Sequence, residues 1–178
     1  MWASGRRVLA MVERYAYLMR GSWPRMIELI YWPAMQIILW GFISEYLQRS
    51  EAGLVRTAVA LLAGVLLWDV LFRGQLGVSV VFFEELYSRN LGHLFASPLR
   101  PTELAAALLV ISFLRTLLGA GAAALLALWL YHYSIFALGL PLLSFFMNLL
   151  VMGWAIGLLV AGLVLRFGLG AENLAWAG

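Results

Sequence analysis

Two residue types that carry much of enzyme chemistry are missing from this chain of 178 residues. It has no cysteine, which excludes disulfides, thiolate metal sites and cysteine nucleophiles. It also has no lysine, because all twelve basic residues are arginine, so neither a P-loop lysine nor a Schiff-base lysine is available. No serine, histidine and acid combination matches a hydrolase motif. We therefore expect a protein that is not an enzyme and that holds no cofactor or metal of its own.

Charge is scarce as well. Charged residues make up 12% of the chain and hydrophobic residues 64%, whereas a soluble domain carries about 25% charged residues. Such a chain has too little polar surface to cover a water-soluble globule. We predict an integral membrane protein whose surroundings are the lipid bilayer, with no nucleic acid among its partners.

Four apolar stretches are long enough to cross a bilayer, which needs about 20 helical residues. The predicted spans are residues 26–44, 54–81, 103–131 and 135–165. The aromatic segment Tyr131–Ser134 separates the last two spans and suits a membrane interface. Residues 173–178 look like the start of a fifth span. The predicted fold is an all-α polytopic membrane protein with a single transmembrane domain over residues 1–178.

The first 24 residues have the pattern of an amphipathic helix. Apolar residues such as Val8, Met11 and Tyr15 recur at helical spacing, while Arg7 and Arg14 fall on the other side. A helix of this kind lies in the headgroup layer of a membrane.

The arginines orient the predicted spans. Eight of them lie in the N-terminal segment, the loop between the second and third spans and the segment after the fourth span. The two remaining loops carry Arg49 and Arg56 only. Because positively charged loops stay on the cytoplasmic side, we expect a cytoplasmic N-terminus.

Residues 82–101, FFEELYSRNLGHLFASPLRP, form a second amphipathic segment on the same side. Phe83, Tyr87 and Leu91 share one helical face, and Glu85, Arg89 and His93 share the opposite one. The residues alone leave two interpretations open. The segment is either a helix whose polar face docks on a cytoplasmic protein or a solvated interfacial loop.

A longer stretch around this segment, LWDVLFRGQLGVSVVFFEELYSRNLGHLFASPLRPTELAAA, resembles the permease subunit of ABC transporters of the ABC-2 type. The arginine-rich N-terminus, Trp32-Pro33, Arg166-Phe167-Gly168 and Ala171-Glu172 extend the resemblance over most of the chain. That family includes exporters of polysaccharides, lipo-oligosaccharides and drugs. Its cytoplasmic element is a coupling helix that docks on a separate ATP-binding subunit. By position, the resemblance implies these coupling residues: Glu84, Glu85, Arg89, Asn90, His93, Ser97 and Pro98.

The resemblance implies a permease subunit in the bacterial inner membrane that couples ATP hydrolysis elsewhere to movement of a substrate. Its partners would be a second permease copy or half and ATP-binding cassette subunits, which would bind ATP and Mg²⁺. Family members usually have six spans, so we expect a C-terminally shortened relative. The alternative is a non-transporting membrane scaffold or accessory subunit of a larger membrane complex, derived from such a permease.

Three charges fall within the predicted spans. Asp69 and Arg73 are four residues apart on one helix face, and this spacing predicts an ion pair. Arg115 needs an acceptor, since a charge at mid-membrane depth is costly. We expect it to reach Asp69 or backbone carbonyls of the second span, and thereby to form an intramembrane polar cluster. Snorkelling to the interface or contact with an anionic substrate are the alternatives.

Gly153 and Gly157 form a G-x-x-x-G motif in the fourth span. Small residues at this spacing let two helix backbones approach closely. Packing within the chain is the ordinary explanation of the motif.

Overall fold

The computed structural model describes residues 2–50 and 55–176, and no strand occurs within these ranges. The helices are α1 (Trp2–Arg20), α2 (Trp23–Ser50), α3 (Val55–Tyr87), α4 (Leu91–Ala96), α5 (Pro101–Tyr131) and α6 (Leu140–Phe167), with two 3-10 helices, Ile135–Leu138 and Leu169–Trp176. Residue 54, the first of the predicted second span, and residues 177–178 of the predicted fifth span lie outside the described part of the chain.

Four helices are long and apolar enough to cross a membrane: Trp23–Leu47, Ala60–Tyr87, Pro101–Tyr131 and Leu140–Phe167. Their lengths of 25 to 31 residues exceed the roughly 20 that a bilayer requires. Large apolar side chains cover their outer faces, including Trp129 at 78% exposure and Leu140 at 82%. The all-helical fold and the number of candidate spans agree with the prediction from the sequence.

The second candidate span, within α3, is the centre of the bundle. It packs against α2, α5 and α6, and 56% of the most apolar window of Ala60–Tyr87 is buried. The corresponding share for Trp23–Leu47 in α2 is 17%, so α2 lies at the periphery. The packing of the other helices is therefore organised around α3.

Glycine and serine bring α6 and α5 close to α3. A Cβ atom on Gly153 would lie 2.5 Å from the carbonyl oxygen of Leu71, and one on Gly157 would lie 2.8 Å from the carbonyl oxygen of Gln75. The Ser112 hydroxyl of α5 donates to the Gly74 carbonyl of α3 at 2.9 Å and accepts from the Trp154 indole of α6 at 3.2 Å. The G-x-x-x-G motif thus packs within the chain, where its missing side chains allow contact between two backbones.

The segment 82–101 is not one helix. α3 continues to Tyr87, well past residue 81, and the chain then turns at Arg89, whose φ is 55°. This left-handed conformation ends the helix, because α-helical residues have negative φ. The six-residue α4 follows, and an extended segment leads to Pro101 at the start of α5, where proline is favoured. The predicted shared faces are therefore wrong across the turn, since Leu91 is buried while Tyr87 is exposed.

The last described residues fold back onto the bundle. α6 ends at Phe167, and Gly168, whose φ is 79°, follows it. The 3-10 helix Leu169–Trp176 then packs against α6 and α3. The side-chain amide of buried Gln75 donates to the Ala175 carbonyl at 2.9 Å. The Tyr87 hydroxyl donates to Glu172. Within residues 173–176, the predicted start of a fifth span is a 3-10 helix bonded to α3.

Candidate functional site

Two arginines of α1 bind glutamates of the spanning helices. Arg7 and Arg14 are two helical turns apart on one face of α1, which packs against α5. The Arg7 guanidinium donates to the Glu103 carboxylate at 2.7 Å, and the Ser4 hydroxyl donates to the same carboxylate. Arg14 donates two hydrogen bonds to Glu85, at 2.6 Å and 3.2 Å. Both glutamate side chains are only 4% exposed, so these are partly desolvated pairs rather than surface ones.

A third pair joins α2 to the end of α3, with 3.4 Å between Arg25 and Glu84. We call the three pairs Arg7–Glu103, Arg14–Glu85 and Arg25–Glu84 the arginine clamp. Their glutamates lie at the end of α3 and the start of α5, on both sides of α4. The clamp therefore ties α1 and α2 to the two candidate spans that α4 connects.

The coupling residues implied by the resemblance fall into two groups, and the first group, Glu84 and Glu85, belongs to the clamp. Glu85 is buried and bonded to Arg14, and Glu84 is half-buried beside Arg25. The Glu85 side chain is therefore turned into the bundle, whereas 32% of the Glu84 side chain stays exposed. Glu85 faces Arg14 of α1, and Glu84, one residue earlier on α3, faces Arg25 of α2.

The remaining coupling candidates form an exposed surface. Arg89, His93, Ser97 and Pro98 are exposed, and Asn90, just before α4, is half-buried. Phe95 of α4 is also 54% exposed, and we call Arg89, His93, Phe95, Ser97 and Pro98 the α4 surface.

The α4 surface has a fixed base. Leu91 is buried in the core, and half-buried Leu94 and Leu99 pack against the same core. The Ser97 hydroxyl donates to the Leu94 carbonyl at 2.6 Å and accepts from the Leu99 amide at 3.3 Å. Apolar anchors and a bonded turn thus hold an exposed aromatic and several polar groups at the end of the bundle.

The predicted ion pair within α3 is present. The Arg73 guanidinium bonds to the Asp69 carboxylate at 2.5 Å, and both side chains are largely buried. The guanidinium lies over Gly119 of α5, where a Cβ atom would be 2.7 Å from Arg73 Nε. Gly119 therefore makes room for the pair between α3 and α5.

Arg115 does not bond to Asp69. It lines a cavity together with Arg25 and Glu84 of the clamp. Asp69 is bonded to Arg73 instead. No ion pair or hydrogen bond joins Arg115 to any residue in the ranges 2–50 and 55–176. The predicted contact of Arg115 with Asp69 or with backbone carbonyls of the second span is thus not among the bonds of the described residues, and a long arginine side chain can instead follow its helix toward the polar end of the bundle.

A groove between α2 and α3 was not apparent from the sequence. It has a volume of about 530 Å³ and is lined by Gln36, Trp40, Ala60, Leu61, Gly64, Val65 and Trp68. The side-chain amide oxygen of Gln36 is buried without a hydrogen-bond partner within the described ranges. A lone amide in an otherwise apolar span was the available signal, because buried polar groups usually have partners.

Among the described residues, no three histidine, aspartate or glutamate side chains come together as a metal site. His93 and His132 follow the α3 end and the α5 end respectively, which lie at opposite ends of the bundle.

No protein-family model, no curated protein and no solved structure matches this chain.

Proposed function

We propose that this chain is the membrane-spanning permease subunit of an ABC-2-type exporter, docked on an ATP-binding cassette subunit through its α4 surface. The observation that carries the proposal is the exposure of that surface between two spans whose ends are held by the arginine clamp. A half-exposed phenylalanine beside an arginine and a histidine is typical of a protein-binding patch, since aromatic residues and arginine are enriched there.

The charge distribution supports a cytoplasmic position for the α4 surface. The arginines at this end are Arg6, Arg7, Arg14, Arg20, Arg25, Arg89, Arg100 and Arg166. At the opposite end of the bundle, the last turn of α2 carries Arg49 and the first turn of α3 carries Arg56. By the positive-inside rule, the N-terminus and α4 face the cytoplasm of a bacterial inner membrane, where ATP is available to a partner.

The mechanism follows from the connections of α4. A push on α4 reaches the end of α3 through the turn at Arg89 and the start of α5 through Pro101. The clamp makes α1 move with both helices, because its arginines bind Glu85 of α3 and Glu103 of α5. ATP and Mg²⁺ would be bound by the partner, and this chain would convert closure of the ATPase dimer into tilting of α3 and α5 against a second permease copy.

The test begins with the neighbouring reading frames, where the proposal expects a P-loop ATPase, and measures copurification of that ATPase with this chain. Phe95→Asp and Arg89→Glu are expected to weaken copurification at least tenfold, because an unpaired or reversed charge at an interface costs several kcal/mol. Arg166→Glu is the matched control, since Arg166 is an exposed arginine of α6 outside the α4 surface. Equal recovery of the ATPase with all four proteins would overturn docking through α4.

A non-transporting scaffold subunit is the second candidate. It is favoured by the close contacts of Gly153 and Gly157 with the backbone of α3, which fill the space between α3 and α6. A gene neighbour that encodes another membrane complex, without a P-loop protein, would favour this candidate over the exporter.

A further inference from the structure

The outer face of α6 carries a polar amide within a candidate span. Asn148 belongs to Leu140–Phe167, and its side chain is exposed. Within the ranges 2–50 and 55–176, this side chain makes no hydrogen bond. In the neighbouring spans, by contrast, the polar side chains of Gln75, Ser112 and Thr116 are buried inside the bundle. Asn148 is thus a polar group that the bundle leaves on its surface.

The depth of Asn148 places its amide among the acyl chains of a membrane. The span has 28 residues, and with the helix centred in the bilayer Asn148 lies about 8 Å from the midplane, at about 1.5 Å per residue. The hydrocarbon core extends about 15 Å to each side of that plane. Lysine and arginine can reach the interface from such a depth, but the asparagine side chain is too short. Because an amide without a partner is unfavourable in hydrocarbon, we expect it to bond to a group of another molecule.

Asn148 is the first of three exposed residues that recur every seven positions along α6. Ala155 and Gly162 are the other two, and we call the three residues the α6 seam. Seven residues are about two helical turns, so the seam lies on the side of α6 opposite to Gly153 and Gly157, which pack on α3. A Cβ atom on Gly162 would meet nothing within 4 Å. Small residues with this period allow a second helix to approach closely.

We propose that the α6 seam binds the same seam of a second copy of this chain, with the two Asn148 amides bonded to each other. A primary amide contains both donors and an acceptor, so two of them related by a two-fold axis satisfy each other. Copies inserted in the same orientation place Asn148 at the same depth, and residues near the axis of such an interface face their own counterparts. A single asparagine at one seam position also fixes the register of paired helices.

The flanks of the seam favour an identical partner over a different one. The exposed side chains beside it are apolar, with Val151 at 57%, Met152 at 54% and Leu159 at 62% exposure. From residue 116 to residue 165 the chain has no arginine and no acidic residue, so no opposite charge is required of the partner. Acyl chains cannot take this place, because they have no hydrogen-bonding group for the amide. The proposal requires only that α6 spans a membrane, and it does not depend on the exporter proposal.

Disulfide cross-linking in isolated membranes tests the contact, because the chain has no cysteine of its own. Oxidation of Ala155→Cys is expected to give a product with twice the mass of the chain. Leu118→Cys is the matched control, since Leu118 is 59% exposed near the middle of the α5 span and lies outside the seam. Equal cross-linking of the two variants, or no dimer with Ala155→Cys, would overturn the proposal. A product of Ala155→Cys with a different protein would also overturn it, because the seam would then bind another subunit.

Energy transfer between copies labelled at Phe136→Cys measures the strength of association in vesicles of phosphatidylethanolamine and phosphatidylglycerol. Asn148→Leu is expected to weaken association about three- to thirtyfold, which is the range of hydrogen bonds between membrane helices. Asn148→Gln keeps a primary amide and should retain most of the association, whereas Ala155→Leu should weaken it by separating the two backbones. These side chains are exposed, so the helix content of the variants should match the wild type. Association that is unchanged in Asn148→Leu and Ala155→Leu would place the contact elsewhere and refute the proposal.

Discussion

Arg14 of α1 binds Glu85 of α3 through two hydrogen bonds, at 2.6 Å and 3.2 Å, although 71 residues separate them in the chain. The two-fold contact uses the planar fork of the guanidinium, which fixes both distance and orientation. Because the Glu85 side chain is 4% exposed, this pair differs from surface ion pairs, whose contribution is usually below about 1 kcal/mol. It fixes the position of α1 on the end of α3.

We predict that Arg14→Gln lowers the free energy of unfolding by about 2–3 kcal/mol, because it leaves a buried carboxylate without its counter-charge. Adding Glu85→Gln should recover at least half of this loss. Chemical unfolding of the detergent-solubilised variants measures both values. Arg20→Gln, an exposed arginine of the same helix, should stay near the wild type. Additive losses in the double variant would show that the two residues are not coupled.

The Asp69–Arg73 pair allows a test of which arginine compensates the charge of Asp69. Asp69→Asn leaves the Arg73 charge uncompensated at 12% exposure, and we expect a loss of about 3–5 kcal/mol. Arg73→Gln added to it should recover much of the loss, whereas Arg115→Gln added to it should not. The yield of folded protein and its unfolding temperature report the result. Rescue by Arg115→Gln instead would contradict the observed pairing.

Close packing of α6 on α3 predicts opposite effects for two glycines of one helix. Gly153→Ala places a Cβ atom against the backbone of α3, at 2.5 Å from the Leu71 carbonyl oxygen, and should cost about 1–3 kcal/mol. Gly162→Ala meets nothing within 4 Å and should be neutral or stabilising by up to about 1 kcal/mol. Thermal unfolding of the two variants measures these changes in stability. Equal stability would mean that α6 does not approach α3 this closely.

The orientation can be tested because the chain has no cysteine of its own. Phe136→Cys, between α5 and α6, should react with a membrane-impermeant thiol reagent in intact cells. His93→Cys and Asn173→Cys, at the opposite end, should react only after permeabilisation, because the positive-inside rule predicts that the arginine-rich end faces the cytoplasm. All three residues are exposed, so unequal labelling reports sidedness rather than burial. Labelling of His93→Cys from outside would reverse the orientation.

Some features of the fold follow from short-range sequence patterns and could be predicted from the sequence. Length and apolar composition are sufficient to predict four helices that can cross a bilayer. The Asp69–Arg73 pair follows from a spacing of four residues, since such side chains meet on any helix. The end of α3 could not be predicted in this way, because the helix continues past its apolar stretch to Tyr87, and Glu84 and Glu85 pair with arginines of α2 and α1.

The partners of the other charges were decided only when the helices packed. Composition alone indicates that Glu85 is polar and Arg115 costly in a membrane, but it cannot say which group faces which. Because α1 packs against α5, Glu85 of α3 can pair with Arg14. Because Asp69 is already bonded to Arg73, Arg115 lies beside the clamp instead. Helical periodicity is a local property of the backbone, whereas contact between charges on different helices depends on distances that only the packed bundle sets.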